Sequence, residues 1–312
     1  MDFVNKEICK IDDILSFIDT NINTNKIVLN FNNLEEVNLS ILPENIVNIE
    51  LENNLITIEN IIFGDRNWEK IVIRNNTISI NELKDIKCKI LELTDNEIID
   101  IEIRNCIIDN LDLNCNNLIN IRFTNSKIRK LNLSLNEINE LTSFPEDLIE
   151  LCAFNNNLKR IENLPDSIEK LDLSDNKLEI LEKLPNNIKR LDLCKNKFKT
   201  FNTELLPKKL DYFDITNNDI DNNLELFKNI NSNCLYYDTD DDSSSSNISI
   251  NLLKKINNES DSDDERNSER NSDSDENMND YITNMNNNIM IEYEREERNN
   301  LIRINIPWNI NL

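Results

Sequence analysis

Apolar residues return along this chain at fixed offsets. From Ile168 to Leu178 the sequence reads IEKLDLSDNKL, and from Ile188 to Phe198 it reads IKRLDLCKNKF. LIELCAFNNNL from Leu148 to Leu158 and IRKLNLSLNEI from Ile128 to Ile138 keep the same order. In each, an apolar–polar–apolar triplet such as Leu171-Asp172-Leu173 predicts a short strand with two side chains on one face and the middle one on the other. An Asn follows the triplet, at Asn32, Asn54, Asn76, Asn96, Asn116, Asn136, Asn156, Asn176, Asn196 and Asn218. The ladder opens with two long steps, Asn32 to Asn54 and Asn54 to Asn76. Every step from Asn76 to Asn196 is shorter by two positions, and the long step returns from Asn196 to Asn218. Pro43, Pro145, Pro165, Pro185 and Pro207 all stand at one fixed distance before the next of these Asn, which checks the register independently.

Such a period predicts stacked turns. One turn cannot bury its own apolar edge, but neighbours can share a continuous core. Asn both donates and accepts, so a buried Asn column can satisfy backbone groups where the chain bends off each strand. Proline suits the connection because it fixes φ and cannot continue a central strand. Units this short leave no room for a full helix after strand and turn, so extended or 3₁₀ connections are expected.

The pattern LxxLxLxxNxL resembles the leucine-rich-repeat family. Units reading xxLPxxLxxLxLxxNxL are most similar to the short repeats of bacterial secreted effectors. The resemblance covers residues 25 to 223, about ten repeats. It implies a repeat solenoid, a right-handed horseshoe with a parallel β-sheet on its concave face. Between Leu91 and Leu141 the pattern also repeats at half the short step: Ile101, Ile103, Cys106 and Ile108 mimic Leu111, Leu113, Asn116 and Leu118. That stretch resembles pentapeptide-repeat proteins, which form a four-sided β-helix, so a β-helix stretch stays open there. Some effectors with short repeats append a ubiquitin ligase with a catalytic Cys. No Cys follows Cys234, so that activity is not carried over.

The ends read differently. Val4, Ile8, Ile11, Leu15 and Ile18 recur at helical spacing, predicting a cap helix within residues 1 to 24. Leu224, Leu226, Phe227, Ile230, Leu235 and Tyr236 suggest a second cap over 224 to 237. From Asp238 acidic and Ser residues dominate, and 238 to 280 is expected to be a disordered acidic tail. Ser260, Ser262 and Ser272 each have an acidic residue three positions later, matching acidophilic kinases such as casein kinase 2. In the last stretch, 281 to 312, Ile302, Ile304, Ile306 and Trp308 alternate with polar residues or Pro, reading as a hairpin or an extended docking segment.

Composition narrows the function. The net charge of -25 argues against direct nucleic-acid binding and favours a partner with a basic patch. There is no His, which removes Ser-His-Asp and Cys-His arrangements and His-ligated metals; one Gly leaves no phosphate-binding loop. No catalytic, cofactor or metal site is expected. Seven Cys without a C-x-x-C pair read as reduced thiols of an intracellular protein. MDFVNKEICK does not read as a signal peptide, and no apolar run reaches membrane-spanning length. Cytosol or nucleus is the expected location. The Ile and Asn excess matches AT-rich genomes, including those of giant viruses, for which host cytoplasm is expected.

The register also assigns an outward face. Asp112, Asp172, Asp192 and Asp214 belong to the position between the paired apolar residues, and Lys170 and Arg190 to the position before them. Cys115, Leu135, Cys152 and Phe154 fall on outward positions of successive repeats, an apolar patch of the kind that forms a binding hot spot. Two alternatives stand beside this: charge compensation between strands, and a register slip at Ala153 that tucks Phe154 inward. The expectation is a monomeric, non-catalytic module that binds a protein partner on its concave face. The alternative is a chaperone of histones or other basic proteins, or a phosphatase-inhibitor-like protein, acting through its acidic tail, as in the nuclear acidic leucine-rich phosphoproteins it resembles.

Overall fold

The computed structural model describes residues 1–18, 24–57, 61–208, 210–220 and the backbone of Leu235–Tyr236. The chain divides into two units, Met1–Asn258 and Glu259–Leu312, and every described residue lies in the first. The expected tail over 238–280, its serines Ser260, Ser262 and Ser272, the segment 281–312 and most of the cap over 224–237 lie outside the described residues.

Short strands dominate. In chain order they are β1 (Lys26–Val28), β2 (Asn48–Glu50), β3 (Asn67–Val72), β4 (Glu82–Lys84) and β5 (Lys87–Glu92). Next come β6 (Asp100–Arg104), β7 (Ile107–Asp112), β8 (Asn120–Thr124), β9 (Lys127–Asn132), β10 (Glu140–Leu141) and β11 (Glu150–Cys152). The last are β12 (Arg160–Ile161), β13 (Lys170–Asp172), β14 (Arg190–Asp192), β15 (Tyr212–Asp214) and β16 (Leu235–Tyr236). One 11-stranded parallel sheet runs β1-β2-β3-β5-β7-β9-β11-β13-β14-β15-β16. Its register aligns Ile27, Ile49, Ile71, Leu91, Leu111, Leu131, Leu151, Leu171, Leu191, Phe213 and Leu235 in a single row.

Beneath that row lies a second one: Leu29, Leu51, Ile73, Leu93, Leu113, Leu133, Ala153, Leu173, Leu193 and Ile215, all buried. Ala153 occupies its place in register, with Cys152 opposite Asp172 and the Ala153 N–H donating to Asp172 O at 2.9 Å. No slip occurs there. The core is one continuous cluster, as stacking of incomplete turns requires.

The half-step pattern has a structural meaning. In the middle of the array a second sheet, β4-β6-β8, lines the other side of the same turns. Ser126 Oγ donates to Ile103 O at 3.0 Å and accepts from Cys106 N–H at 3.1 Å. Each middle turn therefore has two strands and two hydrogen-bonded corners, the β-helix-like character read from the spacing. The two-stranded β10-β12 sheet follows.

The expected N-terminal helix shrinks to one turn, Asp12–Leu15. Met1–Phe3 run beside β1, and a turn with positive φ at Asn5 and Glu7 follows: Phe3 N–H donates to Val28 O and Val28 N–H to Met1 O, each at 2.9 Å. The physical reason is the sheet edge. Helix formation over 1–10 would leave the outer backbone groups of β1 unpaired, and an unpaired strand edge is costly or adhesive. Ile11, Ile14 and Ile18 are buried all the same, so the apolar spacing marks the buried side but not the conformation.

Candidate functional site

The long sheet carries three columns of side chains on the face opposite the apolar rows, some of them covered by their neighbours. The first, before the paired apolar residues, includes Lys26, Lys70, Lys130, Glu150, Lys170, Arg190 and Tyr212. The second, between them, includes Glu50, Glu92, Asp112, Cys152, Asp172, Asp192 and Asp214. The third includes Arg74, Asn114, Ser134, Phe154, Ser174, Cys194 and Thr216.

Over most of the array charges compensate across neighbouring strands. Lys26 pairs with Glu50 at 2.8 Å and Lys70 with Glu92 at 2.9 Å; Arg74 also bonds Glu92. The buried Glu150 sits between Lys130 at 3.1 Å and Lys170 at 3.0 Å. Lys170, expected to face a partner, is thus already engaged by the sheet.

The C-terminal end is different. Asp172, Asp192 and Asp214 are direct partners on β13, β14 and β15. One oxygen of each is committed to its own turn. Asp172 Oδ1 accepts from Ser174 N–H at 3.0 Å, Asp192 Oδ1 from Cys194 N–H at 3.1 Å, and Asp214 Oδ1 from Thr216 N–H at 2.9 Å. Asp112 does the same with Asn114 N–H at 3.0 Å. These aspartates therefore brace the bend off the strand as well as carry charge. Among the described residues no Lys or Arg makes an ion pair with the stack of three. Arg190, the cation closest in sequence, lies over the Tyr212 ring at 4.0 Å instead. The Tyr212 hydroxyl donates to Asp214 Oδ2 at 3.1 Å, with Asp192 Oδ2 at 3.5 Å. Burial, then repulsion from Asp172 and Asp214, raises the Asp192 carboxyl to about 7. Burial, opposed by the Asn114 N–H and helped by Glu92, raises Asp112 to about 6.

What bends the chain off each strand is the Asn column. Asn116 donates to Leu93 O of the preceding turn at 2.9 Å and to Leu113 O of its own at 3.0 Å, and accepts from Ile98 N–H at 3.1 Å. Asn96, Asn136, Asn156, Asn176 and Asn196 repeat this arrangement. The residue just before each Asn has positive φ, between 49° and 57° from Phe31 to Asn217. An Asn that stitches strand to strand, beneath a row of Leu and Ile that returns once per turn, decides the fold. This is a leucine-rich-repeat solenoid built from short repeats. No family model and no curated protein matches the chain. Among solved structures it is similar to YopM from Yersinia enterocolitica, with 20% identity, 62% of this chain and 52% of that one covered, and a TM-score of 0.39. A second is YopM from Yersinia pestis, a leucine-rich effector protein, with 19% identity, 69% and 77% covered, and a TM-score of 0.37. A third is a leucine-rich-repeat protein of Leptospira interrogans, with 17% identity, 72% and 91% covered, and a TM-score of 0.22. The chain spans about half the length of the first of these.

The solenoid rearranges the expected apolar patch. Cys115 and Leu135 belong to the positive-φ corners, at 53° and 54°, rather than to the strand face. Cys152 lies in the second column but is buried, its Sγ 2.9 Å from Ser134 Oγ and 3.8 Å from Asp172 Oδ2. Phe154 stays outward and half-buried, and its carbonyl accepts from Leu135 N–H at 2.9 Å. The patch is therefore smaller than the spacing suggested: Cys115, Leu135 and Phe154 are partly exposed and Cys152 is buried.

The sequence pattern singles out neither Cys194 nor Tyr212. Asp192, Cys194 and Asp214 bring one ligand-type atom each within 4.8 Å of one another. Burial first, then Asp192, raises the Cys194 thiol well above its ordinary value, so near neutral pH the free side chain is a thiol. Cys88 and Cys115 are likewise raised, mainly by burial, to about 12 and about 11.

Proposed function

We propose that this solenoid is a non-catalytic interaction module whose long sheet receives a protein partner carrying basic side chains. One observation carries the reading: up to Glu150 the acidic side chains of the sheet are paired strand to strand except at Asp112, and beyond it three stacked carboxylates have no ionic partner among the described residues. A cationic group set against Asp172, Asp192 and Asp214 would offset both their mutual repulsion and the cost of their desolvation. Phe154 lies one repeat and Leu135 two repeats before Asp172, and they supply an apolar anchor beside the charge. The absence of His from the sequence and the protonated state of the buried thiols support a binding role over nucleophilic or acid–base chemistry.

The test compares recovery of partners from a cell extract by the wild-type chain, by Phe154→Asp, by Asp172→Asn/Asp214→Asn, and by a chain lacking 238–312. The reading expects the substitutions to lower recovery of the same partner and the truncation to leave it. Equal recovery by all the substituted chains would overturn it. Loss on truncation alone would move the binding activity to the acidic tail.

A further inference from the structure

Many surface lysines of the solenoid sit against an acid. Lys87 meets Asp65 at 3.2 Å, Lys89 meets Glu69 at 2.8 Å and Lys189 meets Glu169 at 2.7 Å. The last corners of the array break this habit. Lys195, Lys197 and Lys199 are exposed while Asn196 and Phe198 between them are buried, so three ammonium groups leave one short stretch on the solvent side. Lys177 holds the place of Lys197 one turn earlier: their N–H groups donate to Leu158 O and Leu178 O, each at 2.9 Å. Its ammonium group donates to Asn157 Oδ1 at 2.6 Å. Asp175 and Glu179 stand at the equivalent positions of the preceding turn, and Asp219 at that of the following one. Even so, among the described residues none of these four lysines makes an ion pair.

The chain itself carries the complementary charge close by. β14, β15 and β16 are parallel neighbours, and their register puts Asp192, Asp214 and Tyr236 in one row. Lys195 follows Asp192 off β14 by the same number of residues as Thr239 follows Tyr236 off β16. The acidic run Asp238, Asp240, Asp241 and Asp242 therefore begins at the end of the sheet where the lysine ridge begins. Two strand spacings separate β14 from β16, about 10 Å. Asp240 can reach at most about 14 Å from Tyr236, so it can span that distance to Lys195 or Lys197. Asp238, Asp240 and Asp242 recur at alternate positions, as the three lysines do.

We propose that the ridge of Lys177, Lys195, Lys197 and Lys199 is an anion-receiving surface occupied by the chain's own acidic run 238–242. A single exposed ion pair is weak, because water and salt screen it. Covalent attachment changes the balance. A short tether holds the run beside the ridge at an effective concentration on the order of millimolar, which an acidic segment of another protein has to exceed. The contact lowers the attraction of the ridge for other anions, and salt loosens it. The ridge is separate from the acid stack, and the assignment does not depend on what the stack binds.

The test follows acetylation of individual lysines by an N-hydroxysuccinimide ester, read by mass spectrometry on the full chain at low salt. The wild type is compared with Asp238→Asn/Asp240→Asn/Asp241→Asn/Asp242→Asn, with the exposed Lys10 at the far end of the array as the internal reference. An ammonium group held by a carboxylate is acetylated more slowly. Lys195, Lys197 and Lys199 are expected to react about two- to fivefold faster in the variant, with Lys10 unchanged. High salt is expected to speed the same three lysines in the wild type and not in the variant. Equal rates in the two chains, or a rise of the same size at Lys10, would overturn the assignment. Protection that grows with protein concentration would place a second copy on the ridge and would also overturn it. So would an acidic peptide, Gly-Asp-Thr-Asp-Asp-Asp-Gly, that slows the three lysines as readily in the wild type as in the variant, because the ridge would then stand open.

Discussion

At the scale of single residues, two side-chain types hold the argument together. Each column Asn satisfies buried backbone groups of two turns at once. Asn176→Ala would strand Leu158 N–H, which the Asn now bonds at 3.0 Å, and would remove one of the two Asn donors from each of Ala153 O and Leu173 O. An unsatisfied buried group costs about 1 to 3 kcal/mol, so a loss within that range is expected in urea unfolding. Asp192 makes a prediction about pH. Its carboxyl rises from an ordinary 3.8 to about 7 in the fold. Between those values the folded chain keeps a proton that the unfolded chain gives up, so this residue's contribution to stability falls as pH rises through the window and is flat above it. Asp192→Asn should therefore melt near the wild-type temperature at pH 5 and above it at pH 8; a difference that does not grow with pH would contradict the stacked-carboxylate account. The Asn column was legible because one offset recurs in every turn. The burial of Cys152 and the Tyr212 bridge were not, because both depend on the size and direction of side chains on adjacent strands, which spacing does not encode.

At the scale of elements, edges explain what local periodicity missed. Val4, Ile8, Ile11, Leu15 and Ile18 have helical spacing, yet only Asp12–Leu15 is helical. The competing term is the open side of β1, which Met1 and Phe3 close with backbone bonds. Deleting residues 1–10 removes that cover. The truncated chain is expected to melt lower and to aggregate faster on warming, as an uncovered edge does, and light scattering during a thermal ramp would show it. The strands of the long sheet were readable from their apolar triplets. The second sheet was only hinted at by the half-step period. Phe154 is on the surface of the sheet, and Cys115 and Leu135 sit at corners where the backbone turns left-handed, a geometry that spacing does not encode.

At the scale of the whole array, stability should be distributed in layers rather than concentrated. Asn96 and Asn196 lie five turns apart, on the order of 24 Å at the usual strand spacing. Losses from Asn96→Ala and Asn196→Ala should add to within about 0.5 kcal/mol in the double variant, as separate nearest-neighbour terms require. A large excess in the double variant would mean a single cooperative core instead. The middle repeats have one further property that follows from their equal length. Residues 157 to 176 form a complete period whose first and last joints are chemically alike, since Asn156 and Asn176 make matching bonds. Excising that period joins Asn156 directly to Lys177, and every later strand moves up one place without changing its face. The protein is thus modular in the manner of a stack of coins: evolution or an experimenter can withdraw one and the pile closes over the vacancy.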